Sequence, residues 1–265
     1  MMVKLLNLDL LPLTLLFILG GMAVHTLGTL AFDLYTTQRQ LADNNDLIQT
    51  KMPMFQKIVL LAILFGVSIS WLHYGTVNAR IQQEATRLGL LARAAEAMPE
   101  PARPRTLLAI AAYAETIADA DWRQMREGGR SQAAADALSR LAATVTATEV
   151  ATPRQELHLR LANRLVRELA AAREARIESA LFPLAQGLQI FLYLTLGATL
   201  LFIWFAGLPS LFTKLVMGWF FVALVMVILM YIHVLSNPLG GYAGMDSEPY
   251  AEVARAAARA AGPPR

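Results

Sequence analysis

The sequence predicts an all-α membrane protein: four transmembrane helices, with a wholly helical soluble domain inserted between the second and the third. Three observations carry that reading. Of the 265 residues 56% are hydrophobic, more than a soluble domain of this size normally contains. Four apolar stretches, near Leu10–Phe32, Ile58–Tyr74, Leu184–Ala206 and Leu215–Leu235, hold no Asp, Glu, Lys or Arg. Each satisfies the length requirement for crossing a hydrocarbon core, roughly 20 apolar residues, where a charge is expensive. Most of the 23 Lys and Arg residues lie instead between Arg80 and Arg176, among the strong helix formers Ala, Leu and Glu.

The first stretch follows Lys4 and is longer than the core of a secretory signal, with no small-x-small cleavage site after it, so it reads as a retained anchor. Aromatic residues mark several span ends, as at Trp71 and Tyr74, Trp204 and Phe205, Trp219 and Phe220. The second span continues without a breaker towards Ala97, where Pro99, Pro101 and Pro104 stop it. A helix over Arg105–Met125 follows and ends at Gly128–Gly129. Ser131 caps the next, which runs to about Ala147. Thr152-Pro153-Arg154-Gln155 then combines a capping hydroxyl, a first-turn proline and a glutamine three residues on, a helix-start signal. Leu157, Leu161, Leu165 and Leu169 share one face of that last helix, which Pro183 bends before the third span.

These elements divide the chain into a membrane hairpin over 1–75, a four-helix domain over 76–181, a second hairpin over 182–241 and an alanine-rich tail over 242–265 read as mobile. Basic residues near span ends gather on the side of the N-terminus and the inserted domain. The positive-inside rule then makes that domain and both termini cytoplasmic, in an inner membrane.

Several classes of chemistry are excluded. There is no cysteine, hence no disulfide, thiolate or cysteine-ligated metal. His25, His73, His158 and His233 are scattered with no ligand spacing, so no metal site is expected. No phosphate loop, zinc helix or nucleophile elbow occurs, and neither an enzyme nor a cofactor is expected. A net charge of +3 with interleaved arginines and glutamates gives no nucleic-acid face. Asp119 and Asp121, beside Trp122, read as a solvated helix end, since two positions apart on a helix they diverge. Gly66, Ser70 and His73 share one stripe of the second span, and Gly21, His25 and Gly28 one of the first. Such stripes either let helices pack closely, the commoner case, or line a watery path. Gln186, Gln189 and Tyr193 form a polar face at the start of the third span. Asn237-Pro238-Leu239-Gly240-Gly241 ends the fourth span as a helix stop and a fixed membrane-exit turn.

The order of several short motifs resembles a bacterial bestrophin-like membrane family of unknown function, over about Asn45 to Val253. The residues concerned are Trp71, Ala79-Arg80, Glu84-Ala85 and Leu88, then Tyr113-Ala114, Asp121-Trp122, Gly128-Gly129 and Thr152-Pro153-Arg154, and the turn Asn237–Gly241. Leu239 stands where that family usually has phenylalanine, and Ser236 where it often has aspartate. The resemblance implies a homo-oligomer, pentameric as in true bestrophins, forming an ion channel whose second span lines the path. Gly66, Ser70 and His73 are then the pore-lining candidates. The permeant ion is not read from the sequence, and membrane lipids are the other expected partner. A different class of reading is a non-conducting scaffold whose helical bundle binds a partner protein.

Overall fold

The computed structural model describes residues 10–36, 45–181, 186–205, 210–240 and 244–262, and every regular element among them is helical. In chain order these are α1 (Leu10–Tyr35), α2 (Asn45–Glu96), α3 (Ala102–Thr116), a π-helical turn (Ile117–Asp121), α4 (Trp122–Arg126), α5 (Gln132–Thr146), α6 (Pro153–Leu181), α7 (Gln186–Phe205), α8 (Leu211–Leu235) and α9 (Glu248–Ala261). Contacts divide the chain into two compact units, one of 1–74 with 183–243 and one of 75–182 with 244–265.

In the first unit, α1, α2 and α8 supply apolar stretches long enough to cross a membrane, over Leu11–Tyr35, Thr50–Glu96 and Leu211–Leu235. The apolar part of α7, Ile190–Phe205, is shorter, about 24 Å at 1.5 Å per residue. Three of the four expected spans therefore meet the length requirement among the described residues. The helices also run past the expected limits: α1 takes in Asp33, and α8 takes in Lys214. Helix α8 lies along α1. Leu192 of α7 meets Val225, Leu229 and Ile232 of α8, with Val67 of α2 packed against them. Leu13 of α1 meets Met230 and Val234. The outward faces stay apolar, as at Leu61, Leu72, Leu194 and Phe220, which suits a hydrocarbon solvent.

In the second unit, caps and breakers act as the local chemistry dictates. Ser131 Oγ accepts from Ala134 N at 3.3 Å and starts α5. Thr152 and Gln155 form a reciprocal box at α6: Gln155 N donates to Thr152 Oγ1, and Thr152 N to Gln155 Oε1. Gly128 takes φ +81°, the left-handed turn that closes α4. The core is built from Val77, Ile81, Leu88 and Leu91 of α2, Leu107, Ile110 and Tyr113 of α3, Leu141 and Val145 of α5, and Leu165 and Leu169 of α6. Leu157 and Leu161, at the start of the same α6 row, are exposed.

The tail corrects the expectation of mobility. Residues 248–261 form helix α9, which lies along α3 and buries Tyr250, Ala254 and Ala257. Pro249 in its first turn suits a helix start, and the apolar residues recur at helical spacing. Pro183 and the polar side chains of Gln186 and Gln189 lie outside the described residues.

Candidate functional site

Two polar systems stand out, one inside each unit. In the second, Arg176 of α6 is wholly buried between two buried carboxylates. Its Nε donates to Glu84 Oε2 of α2, and its Nη2 to Asp121 Oδ2 of the π turn at 2.6 Å. Glu84 also accepts from Tyr113 Oη at 3.1 Å and from Tyr250 Oη of α9 at 3.0 Å. Asp121 Oδ1 accepts from Ser131 N at 3.3 Å and from Arg173 Nη2 at 3.4 Å. The Arg176 guanidinium lies 5.6 Å from the centre of the Tyr250 ring, a cation–π distance. Next to it Trp122 Nε1 donates to the Met245 carbonyl.

Two carboxylates face two guanidiniums, so the network is neutral, and each carboxylate has several donors. Burial works against the Arg176 charge, but Glu84, Tyr250 and Asp121 outweigh it and hold its pKa above the ordinary value. Burial, and then the Glu84 charge, push both Tyr113 and Tyr250 well above the ordinary phenol value. Apart from Arg173 Nε, which is buried without a partner, the network is densely bonded, and it is suited to fixing five segments together.

Asp121 therefore corrects the solvated reading, which holds only for Asp119, exposed and paired with Arg123. Spacing does not mark the difference, although Asp121-Trp122 is among the motifs that carry the resemblance. The difference depends on Arg176, 55 residues away.

In the first unit, α1 turns a stripe of Gly21, His25, Thr29 and Asp33 towards α8. Lys214 Nζ of α8 pairs with Asp33 Oδ1 at 3.0 Å, the lysine almost completely buried. His25 is wholly buried and accepts at Nδ1 from Trp204 Nε1 of α7 at 3.3 Å. Trp219 Nε1 of α8 donates to Thr26 Oγ1 at 2.9 Å. Close approach is bought by glycine at two points: a Cβ at Gly28 would sit on the Trp204 ring, and one at Gly218 on the His25 ring.

The family profile of the Bestrophin-like domain matches residues 20–250. The chain belongs to the bestrophin-like family. The folds agree: a bacterial bestrophin homologue from Klebsiella pneumoniae is similar at 13% identity with a TM-score of 0.68, over 94% of this chain and 100% of that one. A variant of it gives 12% identity and 0.67, over 93% and 99%. A crystal structure described only as a membrane protein gives 12% and 0.69, over 92% and 98%. At these identities the likeness is one of fold. No curated protein matches the chain. This bestrophin-like chain is a membrane protein.

Against that frame the three second-span candidates separate. Gly66 is buried, and a Cβ there would come within 3.0 Å of Leu192 and 3.3 Å of Ile232. Ser70 is fully buried, its Oγ 3.4 Å from Ser236 Oγ at the end of α8. His73, one turn on, is half-buried. The stripe thus faces the chain's own third and fourth apolar helices. The first-span stripe does likewise, with Gly21 against Met226 and Val222.

The exit turn is a hydrogen-bonded β-turn. Gly240 N donates to Asn237 O at 3.0 Å with Pro238 in the second position, and Asn237 Nδ2 holds the His233 carbonyl at 2.8 Å. Leu239 is buried, so an apolar side chain fills the place where the family carries phenylalanine. Ser236, where the family often has aspartate, is also buried and bonds back to Ile232 O. Gly241 lies outside the described residues.

Proposed function

We propose that the chain is the subunit of a homo-oligomeric ion channel of the bacterial inner membrane, with the second span, α2, lining the path. Family membership and the shared fold support the class. The observation that carries the path is the division of α2 into two faces. Val59, Ala62, Gly66 and Ser70 are buried in the chain's own unit, while Ile58, Leu61, Phe65 and Leu72 are exposed and uncharged. In a ring of copies this second face forms an apolar neck, which conducts when wetted and closes by dewetting. Gly66 and Ser70 then seat the lining helix, and of the three candidates His73 keeps access to the mouth.

In this reading four spans cross the membrane, the shorter α7 included. The inserted domain and both termini lie in the cytoplasm, following the basic residues. A ring axis, five-fold as in bestrophins, supplies the pore that one chain lacks.

The test is a planar-bilayer recording of purified protein under a salt gradient. Discrete steps are expected, their reversal potential naming the ion, and Phe65→Ala enlarges them by widening the neck. A silent bilayer from well-folded oligomers overturns the proposal and favours a scaffold whose helical domain binds a partner.

A further inference from the structure

Ionisable side chains buried inside a membrane unit are costly, and they mark sites with a task. His25 is such a residue, and its surroundings specify its chemistry. Nδ1 accepts the Trp204 N–H, so the neutral ring carries its hydrogen on Nε2. That Nε2 is sealed from solvent and meets at most a weak contact with the Lys214 backbone, short of a well-formed hydrogen bond, and Thr29 Oγ1 one turn along the same face has no partner among the described residues. Gly218 is the residue that leaves space for the ring edge.

The charged groups nearby are few. On α1, the same face carries Asp33 two turns on. From α8, Lys214 is paired with Asp33 at 3.0 Å and acts electrostatically on His25. What α7 presents is the neutral indole of Trp204.

We propose that His25 is a proton-binding site whose occupation releases Trp204 and so loosens α7 from α1. The proton taken from water can bond only to Nδ1, because Nε2 already holds one. Nδ1–H then confronts Trp204 Nε1–H, two donors with no acceptor between them. The same proton puts a second positive charge beside Lys214. Both effects act in one direction: acid breaks the Trp204–His25 hydrogen bond that joins α7 to α1. Gly28, whose missing Cβ lets the indole lie against α1, leaves the ring free to slide outward once that bond is lost.

This site is separate from the α2 path, and its test reads no current. Tryptophan emission of the purified protein in lipid nanodiscs is followed from pH 8 to pH 4. An acid transition is expected that disappears in His25→Gln, whose amide oxygen still accepts from Trp204 but does not titrate. It also disappears in Trp204→Phe and persists in His73→Gln and His233→Gln. Lys214→Gln, by removing the neighbouring positive charge, moves the transition to higher pH. A transition unchanged in His25→Gln or in Trp204→Phe overturns the proposal, as does a wild-type protein with no transition. If His25→Gln does not fold, judged by helicity and elution volume at pH 8, Trp204→Phe and the Lys214→Gln shift decide the matter.

Discussion

The two units handle buried charge in opposite ways. In the second, Glu84, Asp121, Arg173 and Arg176 form one densely bonded network to which α2, α3, the π turn, α6 and α9 contribute, with two tyrosines and a serine amide supplying further donors and only Arg173 Nε left over. In the first, the described residues show one ion pair, Asp33 with Lys214, and on the neighbouring stripe His25 Nε2 and Thr29 Oγ1 lack well-formed bonds. The reason lies in the alternatives open to each unit. Around the network the unfolded segments would return to water, so burying charges costs several kcal/mol per ion unless each is fully bonded. Between apolar helices there is little water to return to, and a sparse polar stripe persists with bonds unmade. The dense network holds a shape, whereas the sparse stripe keeps room to respond.

The largest expected effect tests the densely bonded side. Arg176→Met leaves Glu84 and Asp121 buried without their cation and is expected to lower stability by about 3–5 kcal/mol, read by denaturant unfolding of the second unit's signal. Replacing all three charges, as Glu84→Gln, Asp121→Asn and Arg176→Met together, should cost less than the single change, because no unpaired ion remains. Additive losses in the triple variant would mean that the charges act independently and that no network exists.

A smaller effect comes from the phenols. Tyr113 and Tyr250 titrate well above 10 in the folded protein, so the fold holds their protons more tightly than the unfolded chain does. Stability from these groups is complete below pH 10 and falls as pH rises above it. Tyr113→Phe with Tyr250→Phe should therefore flatten the alkaline limb of the stability profile, while losing roughly 1–3 kcal/mol at pH 7 through the missing bonds to Glu84. An unchanged alkaline limb would show that the phenols are not what the high-pH loss reports.

Much of the architecture was legible because it rests on short-range chemistry. The caps at Ser131 and at Thr152 with Gln155, the proline break after α2 and the unbroken α2 itself all depend on residues within a turn or two. The tail was misread although Tyr250, Ala254 and Ala257 repeat at helical spacing, because alanine-rich composition alone does not reveal a partner helix. Its anchor is Glu84, 166 residues away. The stripe of Gly66 and Ser70 was correctly seen as one face of a helix, but a period tells which residues point together and not what they point at. Here α7 and α8 fill that side. Lys214 and Asp33 escaped notice as a pair because each sits just beyond the apolar limits set for its span.

The smallest effect sharpens the comparison most, because it sets two aspartates of one helical segment against each other. Asp119 and Asp121 lie two positions apart in the π turn, and their directions differ. Asp121 is sealed inside, while Asp119 and its partner Arg123 are largely exposed, at 75% and 65% of the side chain. An exposed pair four residues apart gains little over hydration, typically about 0.3–0.5 kcal/mol, and salt screens it further. Asp119→Ala should shift stability by no more than about 0.5 kcal/mol, and that shift should vanish in high salt. The matching Asp121→Ala leaves Arg176 and Arg173 short of an acceptor, and its loss should be several-fold larger and insensitive to salt, since no ion reaches the site. Equal losses at the two positions would mean that the turn is wound differently and that Asp121 does not face the interior.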